Sequence, residues 1–149
     1  RRIMRMSEGL LLRLEGKSAC WKAGLGFAPM GHKMIEGDGK TPEGFYTSSD
    51  KPSSSFYAAI AVHYPNEKDA TMALQDGRIN ASIRTQIVQS LKADSKPPQQ
   101  TAMGGEILIH GGGSATDWTL GCVAMDDTDI DALRKTLPLN MVTDVLILP

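Results

Sequence analysis

A chain of 149 residues, 41% apolar and 22% charged, has the make-up of one globular domain with an ordinary core. Its 16 Lys and Arg against 17 Asp and Glu leave a formal net charge of -1, which argues against nucleic-acid binding and against a polybasic membrane anchor. No apolar run approaches the roughly 20 residues of a membrane span, and the two cysteines are too few for a disulfide framework or a structural zinc site.

In "RRIMRMSEGLLLRLEGK" the apolar "GLLL" is too short for the core of a signal peptide. "GLLLRLEGK" and "SACWKAGLG" predict an antiparallel hairpin turning at "EGK", with Cys20 a small buried hydrophobe. "FAPMGHKMIEGDGKTPEGFYTSS" follows, with a tight acidic turn at "EGDGK". A loop of this length is usually functional. "FYAAIAVHYP" predicts a strand ended by Pro65. Two helices come next, over "NEKDATMALQDGR" and "NASIRTQIVQSLKADS". In the second, Ile83, Ile87 and Leu91 repeat every four residues beside Val88, and Asn80 or Ser82 can cap it. "KPPQQTAMGG" breaks the pattern, and "EILIH" is a short strand ending on His110.

"DDTDIDALRKTL" predicts a third helix, with Asp126 or Asp127 as cap, acids in its first turn and Arg134 and Lys135 in its last. Ile130, Leu133 and Leu137 form its apolar stripe, and "MVTDVLILP" closes the chain as a strand. The expected fold is mainly β with a few helices, an α+β arrangement in a single domain over residues 1–149.

The chemistry concentrates in "IHGGGSATDWTLGCVAM". His110 and Cys122 bracket a glycine-rich loop, and a helix begins soon after the cysteine. A thiol attacks as thiolate, and an imidazole or a helix N-terminus lowers its pKa. The order strand, His, loop, Gly-Cys, helix therefore suits a Cys/His nucleophilic pair. Backbone N–H groups of Gly121 and Cys122 can face an oxyanion. Structural roles compete: a lone His or Cys is more often packing than catalysis, and one Cys20–Cys122 disulfide is a further alternative. No metal-ligand spacing occurs, so neither metal nor cofactor is expected.

These residues resemble the L,D-transpeptidase family with its YkuD-type catalytic domain. "IHG" and "TLGCVAM" resemble that family's His-Gly, variable loop and Ser/Thr-x-Gly-Cys signature. "TPEGFY" and the strand ending "VHYPN" resemble two further family segments, so the likeness runs from about Leu10 to the last strand. It implies a mixed sheet or sandwich, and a bacterial cell-envelope enzyme, periplasmic and monomeric, acting on peptidoglycan stem peptides. Cys122 would be the nucleophile and His110 the base, with the Gly111 carbonyl holding the imidazole. The thiol would attack the amide between a diamino acid and D-Ala. An amine acceptor would give transfer; water would give a carboxypeptidase, or an amidase that frees a linked protein. A non-catalytic peptidoglycan-binding module is the third alternative.

Three features depart from the commonest pattern: Ala124 where a polar residue is usual, Leu120 where His or Arg is usual, and a shorter His-to-Cys gap. "GCVAM" resembles a branch that includes protein-releasing enzymes. With no polar residue at 124, His32, Lys33 and Lys40 on the long loop become candidates to hold a substrate carboxylate, or else solvate that loop and pair with Glu36 or Asp38. Thr119 and Trp118 are candidates to line the cleft, and Tyr46 and Tyr57 are expected to pack.

Overall fold

The structure is a computed structural model describing residues 3–6, 11–14 and 17–149. Among the described residues, eight strands form one sheet: β1 (Ile3–Met6), β2 (Leu11–Leu14), β3 (Lys17–Cys20), β4 (Gly44–Asp50), β5 (Ile60–Val62), β6 (Leu108–His110), β7 (Val123–Ala124) and β8 (Thr143–Ile147). Their order is β3-β2-β1-β8-β4-β5-β6-β7. The sheet is mixed: β1 with β8 and β6 with β7 run parallel, and the other neighbours antiparallel. Three helices among the described residues accompany it, α1 (Glu67–Gln75), α2 (Ala81–Lys92) and α3 (Asp127–Thr136), and the fold is α+β.

The hairpin of β2 and β3 pairs Leu11 with Cys20 and Leu14 with Lys17; its turn at Glu15 and Gly16 lies outside the described residues. β1 has no counterpart among the expected strands. Two expectations are corrected near β3. Cys20 is exposed, since it ends the edge strand of the sheet. The strand also stops there: Gly24 and Gly26 bridge singly to Ala124 and Thr119, so "KAGLG" laces the segment around Cys122 instead of extending the hairpin. The expected strand over "FYAAIAVHYP" contracts to Ile60–Val62. Residues 51–58 instead form a turn, with Ala58 at a positive φ of 53°.

Helix ends follow side-chain chemistry. Asn66 and Asp69 form a reciprocal capping box on α1, and Asn80, not Ser82, accepts from the Ile83 N–H of α2. α3 starts at Asp126 without a side-chain cap bond, because that carboxylate is taken by Ser114. Ile87 on α2 and Ile130 and Leu133 on α3 are fully buried.

Strand alternation divides the sheet residues between two faces. Ile60, Val62, Ile107, Ile109 and Val123 join the main core with Tyr46, Tyr64, Met125 and the helix stripes. Ala59, Ala61, Leu108 and Cys122 form a separate small cluster.

His63 is buried just past β5, with Nδ1 2.9 Å from Thr47 Oγ1 and Nε2 2.8 Å from Ser49 Oγ. Burial pushes its pKa down to about 4, with Lys96 acting in the same direction and Asp94 against it. The unfolded chain therefore takes up a proton first. Stability is full above pH 6.5 and is lost as pH falls toward 4, by on the order of 3 kcal/mol. Urea midpoints measured across this window should fall in the wild type. His63→Gln should show a flatter curve; equal slopes for the two would refute the assignment.

Candidate active site

β6 ends on His110 and β7 begins one residue after Cys122. The parallel register sets Ile109 beside Val123 and His110 beside Ala124. Cys122 therefore falls beside Leu108, and alternation turns the Leu108, His110, Cys122 and Ala124 side chains to one face. Imidazole and thiol are one diagonal step apart on it. The thiol accepts from the Leu108 N–H at 3.3 Å and donates to the Glu106 carbonyl at 3.4 Å. Both cysteines are free thiols.

The loop from residue 111 to 121 is tied down along its length. Gly112 N–H donates to Asp127 and Ser114 to Asp126, both at the start of α3. Trp118 Nε1–H donates to the Gly113 carbonyl, and the Asp117 carboxylate accepts from the Leu25 N–H. Thr119 Oγ1–H donates to the Cys122 carbonyl at 2.7 Å and accepts from the Gly121 N–H at 3.1 Å. Of the two amides that could face an oxyanion, that of Gly121 thus has an internal partner. Two glycines sit where an added Cβ would meet a neighbour. A Cβ on Gly111 would lie 2.3 Å from Asp127 Oδ1, and one on Gly121 2.8 Å from the Lys40 carbonyl oxygen.

His110 is 1% exposed. Its Nδ1 lies 2.5 Å from the Gly111 carbonyl oxygen. A carbonyl only accepts, so Nδ1 carries the proton and Nε2 keeps its lone pair. Phe56 stacks on the ring at 4.3 Å between centroids, and Trp118 meets it edge-on at 5.8 Å. Burial lowers the His110 pKa, partly opposed by the Gly111 carbonyl.

An adjacent imidazole and helix start predict a lowered thiol pKa at Cys122. The structure reverses that direction. Burial pushes the thiol up, with the Leu108 N–H opposing, Glu106 adding to the rise and Lys33 opposing it. Val123, Ala124, Met125 and the N-cap residue Asp126 also separate the thiol from α3. Both shifts favour the neutral thiol and the neutral imidazole over an ion pair between them. In a Cys20→Ser background, iodoacetamide alkylation of Cys122 should accelerate with pH to a midpoint above 9. A rate already on its plateau at neutral pH would show a thiolate–imidazolium pair instead.

Two of the long loop's cations have charged partners: Lys33 within the loop and His32 on α1. His32 accepts from the Glu43 N–H through Nδ1 and meets Asp69 Oδ1 at 3.0 Å through Nε2. Lys33 is buried, with Nζ 3.0 Å from Asp38 Oδ1 and 3.1 Å from the Ile35 carbonyl oxygen. Lys40 presents its backbone carbonyl toward Gly121 while its Nζ lies beside Gly31. The loop approaches the site through its backbone: Ala28 N–H donates to the Gly39 carbonyl and Gly26 N–H to Thr41 Oγ1. His110, Gly111, Trp118, Thr119, Gly121 and Cys122 are thus gathered in one place, and His32 is held elsewhere by Asp69. Sequence reasoning missed Phe56 and the bracing role of Asp127. Among the described residues, no group of three or more His, Cys, Asp or Glu is placed to hold a metal ion, and no helix is long and apolar enough to cross a membrane.

The model of the YkuD family, the L,D-transpeptidase catalytic domain, matches residues 10–147. No curated protein matches the chain. Among solved structures, the helical cell shape determining protein Pgp2 from Campylobacter jejuni is similar, with 23% identity and a TM-score of 0.59 over 97% of this chain and 46% of that one. Bd1075 from Bdellovibrio bacteriovorus gives 22% identity and a TM-score of 0.51 over 99% of this chain and 47% of that one. An L,D-transpeptidase from Mycobacterium smegmatis gives 9% identity and a TM-score of 0.51 over 99% of this chain and 58% of that one. At these identities the likeness is one of fold, and this chain spans about half the length of each of those proteins. With the family model matched over nearly the whole chain, the comparison is decided: the protein belongs to the YkuD family of L,D-transpeptidase catalytic domains.

Proposed function

We propose that the protein is a peptidoglycan L,D-transpeptidase of the cell envelope, working in the periplasm as a monomer without metal or cofactor. The observation that carries this reading is the β6–β7 register, which turns His110 and Cys122 to one face while the Gly111 carbonyl leaves Nε2 unprotonated. As Cys122 Sγ attacks the amide carbon between the diamino acid and D-Ala, the thiol proton passes to His110 Nε2. A C–S bond forms and the carbonyl π pair moves to oxygen, where the Cys122 N–H is the available donor. Collapse of this intermediate breaks the C–N bond, and D-Ala leaves with the proton returned by the imidazolium. The thioester is then resolved by an amine from a second stem, with His110 again taking the proton.

Water in place of that amine gives an L,D-carboxypeptidase, or an amidase where the bond joins a protein. Incubation with disaccharide-tetrapeptide, read by mass spectrometry, separates these outcomes. Dimers with free D-Ala support transfer, and tripeptide with D-Ala supports hydrolysis. Unchanged substrate together with an unreactive Cys122 would leave only a binding module.

A further inference from the structure

We propose that Phe56 is a positioning residue for the catalytic imidazole: its ring, fixed by a turn clamped to α3, lies on His110 and holds it with Nε2 toward the thiol. This deepens the Cys/His reading above and rests on it. The expected strand through Phe56 does not form, and the turn that replaces it has a specific construction. Lys51 N–H donates to the Ala59 carbonyl, Ser54 N–H to the Lys51 carbonyl, and Phe56 N–H to Ser54 Oγ. Arg134 of α3 clamps the turn from below, with Nη1 2.8 Å from Asp50 Oδ1 and 3.3 Å from the carbonyl oxygens of Ala58 and Ala59. Tyr57 Oη–H donates to Asp131 of the same helix at 2.8 Å. The Gly111 N–H then donates to the Tyr57 carbonyl at 2.8 Å. The residue whose carbonyl fixes Nδ1 is thereby bonded to the residue next to Phe56.

The ring planes of Phe56 and His110 are inclined by 27° at 4.3 Å, a stacked contact. Trp118 supplies an edge at 5.8 Å from another side. A single hydrogen bond at Nδ1 leaves the imidazole free to rock about that bond; a flat ring on its face removes that freedom. Phe56 itself is 47% exposed. Main-core burial therefore does not account for its placement, and shortening it leaves the core intact. The orientation it imposes matters because displacements of about 1 Å in reacting groups cost about 100-fold in rate.

The test combines a readout independent of turnover with kinetics, on the full chain. Nitrogen-15 spectra of the His110 ring, at a pH where it is neutral, should show one tautomer in the wild type, with Nδ1 protonated. Phe56→Ala should keep that tautomer, because the Gly111 carbonyl sets it, but side-chain relaxation should show the imidazole rocking where the wild-type ring is rigid, and kcat should fall roughly 10- to 100-fold with KM changed by less than about twofold. Phe56→Tyr should restore both and Phe56→Leu neither, because a flat ring is what the stack requires. Circular dichroism melts should show all three variants folded. A His110 ring as rigid in Phe56→Ala as in the wild type overturns the proposal, as does a rise in KM alone, which would make Phe56 a substrate wall. Should the wild type neither turn over stem peptide nor alkylate at Cys122, the acyl-transfer reading fails. The relaxation measurements then decide the role of Phe56 by themselves.

Discussion

Cys122→Ala will abolish stem-peptide turnover and remove the covalent adduct that an electrophile such as a carbapenem forms. The expected loss is at least about 10⁴-fold, the scale seen when the nucleophile of a covalent mechanism is deleted. Cys122→Ser is expected to be nearly as inactive. A serine hydroxyl is a far weaker acid than a thiol, and this thiol is already pushed upward by burial. The structure also dictates the control. Cys20 is an exposed free thiol at the end of β3, so soft alkylating reagents will label it whether or not the site is competent. Intact-mass measurement in a Cys20→Ser background should give one adduct, and none once Cys122 is also replaced. Because Cys122 is 9% exposed and packs with Ala59, Ala61 and Leu108, its replacement by Ala removes little volume. The variant should melt within a few degrees of the wild type. Retained turnover in a folded Cys122→Ala protein would refute the nucleophile assignment outright.

How much of this was legible in the sequence depends on the length scale of each signal. The helix of Asp127–Thr136 was legible because its stripe, its acidic start and its basic end lie within one continuous segment. His110 and Cys122 were legible because they bracket one loop. The direction of the thiol pKa was not. The dominant cause is burial against Ala59, Ala61 and Leu108, from strands whose contact with Cys122 no local pattern encodes. Phe56 was hidden for a related reason. "SSSFYAAIAV" has strand-like composition, and only the long-range contacts of Arg134 and Asp131 with the turn reveal that its first half turns away. Asp126 shows the same competition on a smaller scale. It begins the helix, but its carboxylate is spent on Ser114 of the catalytic loop. The segment between His110 and Cys122 gains a tether at the expense of a cap.

The second large effect is expected far from the thiol in sequence but close to it in structure. Asp38 accepts four hydrogen bonds: from the N–H groups of Met34 at 2.8 Å, Ile35 at 3.0 Å and Lys40 at 3.1 Å, and from Lys33 Nζ at 3.0 Å. Burial alone would raise its carboxyl pKa. The donors outweigh that and hold it below the ordinary 3.8, so its contribution to stability is present above that pH and lost as pH falls through it. Asp38→Ala removes the acceptor but leaves the ammonium of Lys33 3% exposed, still donating to the Ile35 carbonyl. Breaking one side of a buried pair costs about 3–5 kcal/mol, because the surviving charge is left uncompensated. For a domain of this size that corresponds to a fall in Tm of roughly 10 °C or more. The consequence should reach the site, since Gly39 and Lys40 present their carbonyls to Ala28 and Gly121. Turnover per folded molecule should therefore fall as well. The diagnostic variant is Asp38→Ala combined with Lys33→Met. If the unpaired ammonium is the cause, removing it recovers part of the lost stability, and the two substitutions are strongly non-additive. A single variant within about 1 kcal/mol of the wild type, or a double variant less stable than Asp38→Ala alone, would show that the loop is held by its backbone contacts and not by this pair.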